Sequence, residues 1–362
     1  MTDTKKVDTD KMPSVKRPFF SVVILSFRHD EYLRDAIDSV FNQTISDEFY
    51  EVIIVAKSYG TAQKILDETI SSKKVTIISD DDFPQGRKIF LALKISRGEW
   101  VSILEDDDIW LKERLSSLLE IISNSKENLN FIHNSSYVII GKEKDKLFEQ
   151  SPERQVKNTF IFSLDNFSRF RYVPPCDHNA SSIIVKRETI IENESYIKRL
   201  EGAIDTFMFV TSILSGGIGM CTERRLTLFR VAEKSPSSAE TSSNLKRQLQ
   251  GFGLVEDLLT SSRDRSVNDF ISSKIAENRI KIKLLNEDKD EVNLSFTDVC
   301  NYIRWPFFHY PKRMILLLIF IMSCINRRIA IKLYQKISTG TGGTIGFIRA
   351  HPVFESSNEI SN

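Results

Sequence analysis

The sequence predicts an α/β fold built on a doubly wound, mostly parallel sheet, and three observations support this prediction. Residues 19–27 form an almost continuous apolar run, which is typical of a strand covered on both faces. Over about ninety residues, short β-branched runs then alternate with segments whose apolar residues recur at helical spacing. The last apolar run of this series ends in four consecutive acids, at the edge where open α/β sheets bind ligands.

The elements follow one another in a regular order along the chain. Strands are predicted at 19–27, 51–56, 75–79 and 100–104. The intervening helices are predicted at 31–42, at 61–70 and around 89–95, where Gly98 separates the third helix from the next strand. Beyond the acids, the spacing predicts a helix over 111–123 and a strand over 131–140. Right-handed crossovers between such strands produce a doubly wound sheet.

Composition excludes some classes of function. A chain of 362 residues is long enough for two domains, or for one α/β domain with additions. Its hydrophobic fraction of 41% and charged fraction of 27% are ordinary for a folded protein. Because the net charge is only +1, no global field attracts nucleic acid, and we expect no nucleic-acid partner.

The cysteines and the N-terminus indicate where the protein works. Cys176, Cys221, Cys300 and Cys324 lie far apart without a Cys-x-x-Cys pair, so neither a zinc site nor a disulfide framework is predicted. This pattern favours a reducing, cytoplasmic setting. Residues 1–17 are polar, without the apolar core of a secretory signal, and are predicted to be a disordered lead-in.

The run from Glu105 to Asp108 is the strongest functional lead. Four adjacent like charges repel one another, and a bound cation would explain them best. Mg²⁺ typically uses one or two carboxylates together with substrate phosphates, so this turn has enough ligands. The alternative is a solvated loop whose last acids cap the next helix.

Three segments resemble family 2 glycosyltransferases of the GT-A type. They are Ser-Val-Val-Ile-Leu-Ser-Phe at 21–27, Ser-Val-Phe-Asn-Gln-Thr at 39–44, and the segment at 96–110 that contains the acids. The resemblance covers about 18–236. It implies a Rossmann-like GT-A domain over 18–236, in which 18–110 bind a nucleotide-sugar and 111–236 bind the acceptor.

The resemblance also assigns roles to the acids. The segment at 96–110 is similar to the family's Asp-x-Asp motif, which holds the nucleotide diphosphate through Mg²⁺ or Mn²⁺. It implies that Asp107 and Asp108 bind the metal, while Glu105 and Asp106 contact the nucleotide, with Asp106 near the ribose. Glu105 departs from the commoner aspartate at its position.

Cations are expected to face the diphosphate. Arg87 and Lys88 open the third helix, and a charge-assisted contact from either is worth about 1.5–3 kcal/mol. Solvated side chains at a helix start are the alternative. Arg230 lies in a segment that resembles the end of the family domain, and the resemblance implies a donor contact there.

The acceptor needs a base. An inverting transferase uses a carboxylate to remove the proton from the attacking hydroxyl. Asp205 opens an apolar helix at a position that resembles the family's Glu-Asp motif, which implies that it is the catalytic base. A helix N-terminus is expected to lower its pKa. The alternative is a helix cap without a catalytic part.

Three departures from the family leave the sugar and the nucleobase open. No acid follows the second strand at 55–60, Ile89-Phe90 replaces an Arg-Asn pair, and Ala232 replaces a histidine. Two alternatives stay open: a non-catalytic scaffold that binds nucleotide sugars, which the missing acid permits, and a polysaccharide-chain extender with a soluble acceptor.

The C-terminal third is predicted to be helical. Residues 237–303 are expected to pack on the transferase domain, and 304–337 contain an apolar run at 314–325. This run is shorter than the roughly 20 residues that span a bilayer, and its flanking aromatics and cations suit a helix in the membrane interface. Such a helix would place the enzyme at the inner face of the membrane, near a lipid-linked or cell-surface glycan; a buried core helix is the alternative. Residues 338–362 are predicted to be disordered.

Overall fold

The computed structural model describes residues 17–26, 30–57, 59–69, 75–79, 84–149, 158–172, 176–231, 242–260, 264–285, 293–305, 311–339 and 352–355. Most of the lead-in predicted at 1–17 lies outside these residues, as does Ala232. Most of the tail predicted at 338–362 lies outside them as well. Within that tail Pro352–Glu355 form a strand, so the prediction of disorder is wrong for this segment.

The first half of the sheet has the predicted elements. Its strands are β1 Phe20–Ser26, β2 Tyr50–Ala56, β3 Val75–Ser79 and β4 Trp100–Glu105. Its helices are α1 Asp30–Phe41, α2 Tyr59–Thr69 and α3 Gln85–Ile95. All paired strands here are parallel, in the order β4-β1-β2-β3. Their continuous apolar runs match this arrangement, because helices cover both faces of a parallel sheet.

The second half adds antiparallel pairs, so the complete sheet is mixed. Its elements are β5 Ile109–Trp110, α4 Arg114–Asn124, β6 Leu129–Ile140, β7 Glu143–Glu149, β8 Phe160–Phe162, β9 Ile183–Lys186, α5 Arg187–Ile191, α6 Glu194–Ile197, α7 Ile204–Leu214 and β10 Ile218–Val231. Strand β9 lies antiparallel between β4 and β6. Strand β10 runs parallel to β6, with register shifts near Arg225, and then pairs antiparallel with β5. The end of β10 lies beside the acid turn, where Arg230 contacts Asp107 and Asp108.

Two cores cover the two faces of the sheet. Along β1, Val22 and Ile24 point to a core that contains residues of α1, α2 and α4. The alternate residues Val23 and Leu25 point to a core that contains residues of α3 and α7. This period of two, with helices on both sides, is the doubly wound α/β fold that the sequence predicts.

The C-terminal extension is helical, as predicted. It contains α8 Ser242–Leu259, α9 Arg265–Leu285, α10 Phe296–Arg304, α11 Pro311–Ile325 and α12 Arg327–Thr339, followed by β11 Pro352–Glu355. Apolar residues of α8 and α9 enter the same core as α7, and Phe270 packs edge-on against Phe167 and Phe170. The expected packing of the extension on the preceding α/β domain is therefore observed. Strand β11 pairs antiparallel with β7.

The cysteine prediction is wrong for one pair. Cys176 and Cys221 are both buried and form a disulfide, with Cα atoms 6.2 Å apart. The bond ties β10 to the loop before Asp177. Their separation in the sequence gave no sign of this pairing, because only the folded sheet brings β10 next to that loop. Cys300 and Cys324 are free, as expected.

Candidate active site

The acids lie at the switch point of the sheet. Strand β1 pairs with β2 on one side and with β4 on the other, so the strand order reverses between β1 and β4. In this register Leu25, near the end of β1, lies opposite Glu105, the last residue of β4. Ligands of open α/β sheets bind in the crevice beyond the carboxyl ends of the strands at such a point. The fold therefore presents the acid turn to a ligand.

Three of the four acids come together. Oxygen atoms of Glu105, Asp107 and Asp108 all lie within 4.8 Å of one another. Glu105, expected to contact the nucleotide, thus lies with the two predicted metal ligands. Asp106 is buried beside this group. Hard carboxylate oxygens at this spacing suit Mg²⁺ or Mn²⁺.

Asp108 is the most enclosed of these acids. Its side-chain atom Oδ1 accepts a hydrogen bond of 2.8 Å from the backbone N–H of Arg230. Among the residues that the structure describes, no donor lies at hydrogen-bonding geometry to its buried Oδ2. Burial raises the pKa of Asp108 well above its usual value, and the charges of Asp107 and Glu105 raise it further. A cation at the cluster would favour the ionised form.

Arg230 holds the acid turn in place. Its guanidinium is buried and donates from Nε to the carbonyl oxygen of Asp107 at 2.6 Å and from Nη2 to Asp35 at 3.0 Å. Nη1 donates to the carbonyl oxygen of Gly141, and the group lies over the ring of Tyr32 at 4.2 Å. The guanidinium therefore joins the turn to α1 and to the loop between β6 and β7.

Arg87 and Lys88 lie in the first turn of α3, as predicted. Arg87 is exposed, whereas Lys88 is buried. Gly86 fixes the start of the helix, since its N–H donates to the carbonyl oxygen of Leu200 at 2.9 Å. A Cβ atom at Gly86 would lie 2.0 Å from the carbonyl oxygen of Ile197. The two cations are thereby attached to the segment that leads into α7.

Asp205 lies in the first turn of α7, but it is not the helix cap. The capping position is Ala203, so the alternative of a simple capping aspartate is wrong. The Oδ1 atom of Asp205 accepts a hydrogen bond of 2.9 Å from the N–H of Thr206. Asp205 is partly exposed, which leaves it accessible from solvent.

The pKa of Asp205 differs from the expected direction. Burial raises this pKa to about 6, and the negative charge of Asp177 adds to the increase. The ammonium of Lys274 and the N–H of Thr206 lower it, but by less. The prediction of a lowered pKa is wrong, because loss of hydration outweighs the helix N-terminus.

Sequence reasoning missed two groups at this position. The side chain of Asp177 is fully buried, and its Oδ2 atom lies 2.6 Å from Nζ of Lys274 on α9. The hydroxyl of Thr206 donates to the same oxygen at 2.8 Å. In the sequence, Asp177 is a loop acid and Lys274 is one of several lysines on an amphipathic helix. Only the packing of α9 against the sheet brings them together.

Residues 21–181 match the model of glycosyl transferase family 2. The matched segment runs from β1 through the acid turn to the residues just before β9. The chain carries a glycosyl transferase family 2 domain. This confirms the family that the sequence motifs indicate. The match includes Glu105, Asp106, Asp107 and Asp108, whereas Asp205 lies beyond it.

The similarity to curated relatives covers only part of this chain and only part of each relative. An uncharacterized glycosyltransferase, MJ1057, of Methanocaldococcus jannaschii is 28% identical over 114 residues, which are 31% of this chain and 39% of the relative. The putative teichuronic acid biosynthesis glycosyltransferase TuaG of Bacillus subtilis is 28% identical over 153 residues, 40% of this chain and 60% of the relative. The chain thus spans less than two thirds of either relative.

Solved structures confirm the fold over most of the chain. S. aureus TarS 1–349 in complex with UDP-GlcNAc has a TM-score of 0.56 at 16% identity, covering 88% of this chain and 91% of that one. Mannosyltransferase PcManGT from Pyrobaculum calidifontis, in complex with GDP-Man and Mn²⁺, has a TM-score of 0.50 at 12% identity, covering 86% and 88%. The predicted GT-A fold class is confirmed.

Proposed function

We propose that the protein is a metal-dependent, inverting glycosyltransferase that moves a sugar from a nucleotide-sugar to a hydroxyl acceptor. The observation that carries this proposal is the group of three carboxylates at the switch point of a family 2 domain. The donor would occupy the half formed by 18–110, and the acceptor the half formed by 111–236. The bound UDP-GlcNAc and GDP-Man of the two structural neighbours support a nucleotide-sugar donor.

Asp107 and Asp108, together with Glu105, would hold Mg²⁺ or Mn²⁺. The residues fit such an ion, because they offer hard oxygen ligands within 4.8 Å of one another and because Oδ2 of Asp108 is buried without a hydrogen bond in the described structure. The ion would stabilise the negative charge that develops on the leaving diphosphate.

The remaining donor contacts come from three positions. Asp106 would accept a hydrogen bond from the ribose, and Arg87 and Lys88 would bind the diphosphate. Arg230 supports donor binding indirectly, because its donors are directed to Asp107, Asp35 and Gly141. It keeps the acid turn at the switch point.

Asp205 is the proposed base. The acceptor oxygen forms a bond to the anomeric carbon while the bond from that carbon to the diphosphate breaks, and Asp205 takes the hydroxyl proton. The nucleoside diphosphate leaves with the electron pair. With a pKa of about 6, Asp205 is mostly ionised at neutral pH and still basic enough to accept the proton.

A screen of nucleotide sugars tests this proposal. The purified protein is heated with each nucleotide sugar, with Mg²⁺ or Mn²⁺ and with a chelator, and the melting temperature is recorded. A donor at about 100 times its Kd stabilises the fold by about 2.7 kcal/mol, and we expect this gain only with metal. The stabilising donor is then assayed for transfer. Metal-dependent binding without transfer to lipid-linked or soluble glycans would favour the scaffold, and no binding would contradict the proposal.

A candidate membrane surface lies on α11 and α12 of the C-terminal extension. Ile325, Leu318 and Ile321 are 86%, 59% and 51% exposed on one face of α11, while Leu316 and Ile319 on the other face are buried. Among the described residues, no helix is both long and apolar enough to cross a bilayer.

Exposed cations border this surface. Arg328 and Lys332 lie on α12 beside Ile329, which is also exposed. An apolar face with adjacent cations is complementary to anionic lipid. We therefore propose that α11 and α12 dock the enzyme on the inner face of the cell membrane, near a lipid-linked acceptor.

Vesicle sedimentation tests this docking. We expect the protein to bind vesicles with anionic lipid more strongly than neutral ones, and the double variant Leu318→Glu/Ile321→Glu to lose binding. Phe296→Glu is the control, because Phe296 is an exposed apolar residue on α10. Equal binding of the double variant would contradict the proposal, as would dimerisation through this face without vesicle binding.

A further inference from the structure

The proposed base is joined to a second carboxylate through one residue. Thr206 donates its backbone N–H to Asp205 at 2.9 Å and its hydroxyl to Asp177 at 2.8 Å. Asp177 is fully buried, whereas Asp205 is partly exposed. The orientation of one carboxylate is therefore coupled to that of the other.

Lys274 closes this arrangement from the helical extension. Its Nζ atom lies 2.6 Å from Oδ2 of Asp177 and is within 5.5 Å of the ring centroids of Phe252 and Phe270. The side chain is 20% exposed. Because rings border the ammonium on two sides, it has few other positions, and the ion pair with Asp177 is fixed by packing.

The next charged groups along α9 form ion pairs with each other and with α11. Glu277 lies 3.0 Å from Lys281 and 3.1 Å from Arg313 at the start of α11. Among the described residues, Asp177 from the loop and Lys274 from α9 are the charged groups that act on the ionisation of Asp205, and Lys274 in turn acts on Glu277.

We infer that Lys274 is a positioning residue for sugar transfer: it holds Asp177 and Thr206 so that Asp205 is ionised and directed toward the acceptor. The inference rests on the proposed function. It assigns to the C-terminal extension, which lies beyond the family match, a part in the active site.

Removing Lys274 and removing Asp177 are expected to shift the ionisation of Asp205 in opposite directions. Without the ammonium, the two neighbouring carboxylates repel each other, and Asp205 binds its proton up to a higher pH. Without the charge of Asp177, Asp205 loses its proton at a lower pH. A residue that only packs would change the amount of folded protein and leave this ionisation unmoved.

The pH dependence of kcat/KM for the acceptor tests this assignment. We expect Lys274→Met to move the acid limb upward by about one pH unit and Asp177→Asn to move it downward. Lys274→Arg should restore the wild-type limb. Arg265→Met is the control, since Arg265 is an exposed cation on the same helix, and its limb should not move. Shifts in the same direction, or none, would overturn the inference.

A second readout does not need activity. Folding favours the protonated form of Asp205, so its contribution to stability is greatest below about pH 4 and is lost as the pH rises through about 6. The difference in melting temperature between wild type and Asp205→Asn reports this loss. In the Lys274→Met background the loss should extend to higher pH. An unchanged range would overturn the inference even if no donor is transferred, whereas a shifted range without transfer would contradict only the proposed function.

Discussion

Two clusters of acids in this protein have different partners. One is the acid turn at Glu105 to Asp108, and the other is the pair Asp177 and Asp205. In each, burial is the largest cause that raises the pKa of a carboxyl group, and negative neighbours raise it further. The groups that lower these pKa values differ. For Asp108 they are the backbone N–H of Arg230 and the Ser181 hydroxyl, whereas for Asp205 they include the ammonium of Lys274.

Under the proposed function, this difference assigns metal binding to the acid turn and proton transfer to the second cluster. Neutral donors offset only part of the repulsion at Asp108. The guanidinium of Arg230 is directed to Asp35 and to two backbone carbonyl oxygens, so a ligand cation is favoured as the missing charge. The second cluster has its own cation, so Asp205 ionises near pH 6 without a ligand. A carboxylate in this range suits a base at neutral pH. The following changes test whether the two clusters act separately.

The largest effect is expected for Asp107→Ala. Removing this carboxylate takes one ligand from the group of three, so metal-dependent donor binding and sugar transfer should both be lost. Thermal shift with donor and metal, followed by a transfer assay, measures the two effects. Glu99→Ala is the control, because Glu99 is an exposed acid just before β4. Unchanged turnover of Asp107→Ala would contradict the metal assignment.

Asp205→Asn should distinguish the functions of the two clusters most clearly. The amide still accepts the hydrogen bond of Thr206 but cannot take a proton, so transfer should fall by about 10²-fold or more. Donor and metal binding should survive, because they depend on the acid turn. Measurements of kcat and of the donor-induced thermal shift check both statements. Transfer at the full rate would mean that the base lies elsewhere.

The part of the site whose residues are adjacent in the sequence could be predicted from the sequence pattern. The apolar run of β4 and the acids that follow it are neighbours in the chain, so the sequence alone indicates both the strand and the ligand edge. The apolar run at 314–325 likewise predicts a helix, which is α11. It does not show which face is exposed, because that depends on the packing of Leu316 and Ile319 in the core of the extension.

The environment of Asp205 depends on contacts that are distant in sequence. A helix N-terminus predicts a lowered pKa, but the burial by surrounding elements and the charge of Asp177 reverse its direction. The ion pair of Asp177 with Lys274 and the disulfide between Cys176 and Cys221 also depend on contacts that are distant in sequence. Each joins segments that become neighbours only when the extension and β10 pack beside the loop.

A smaller effect on sugar transfer is expected when the pH is lowered. Below the pKa of about 6, protonated Asp205 cannot act as a base, so kcat/KM should fall about tenfold for each pH unit. The profile is measured for the acceptor with metal and donor at saturation, so that the acid turn stays occupied. Asp205→Asn serves as the control, since its residual rate should lack this limb. A limb that persists in Asp205→Asn would assign it to another group.

The smallest effect is expected for Arg230→Lys, which tests the acid turn alone. Lysine keeps the charge but cannot reproduce the forked donors to Asp107, Asp35 and Gly141. We expect a loss of about 1.5–3 kcal/mol in the free energy of unfolding, measured with denaturant, and a higher KM for the donor.

Arg224→Lys on the same strand is the matched control for this change. Arg224 forms an exposed ion pair with Glu120, and such pairs contribute only about 0–1 kcal/mol. The acid limb of the pH profile should stay in place in both variants, because Lys274 and Asp177 are untouched. If Arg230→Lys moved that limb, the two clusters would be coupled, and the separation between metal binding and proton transfer would be wrong.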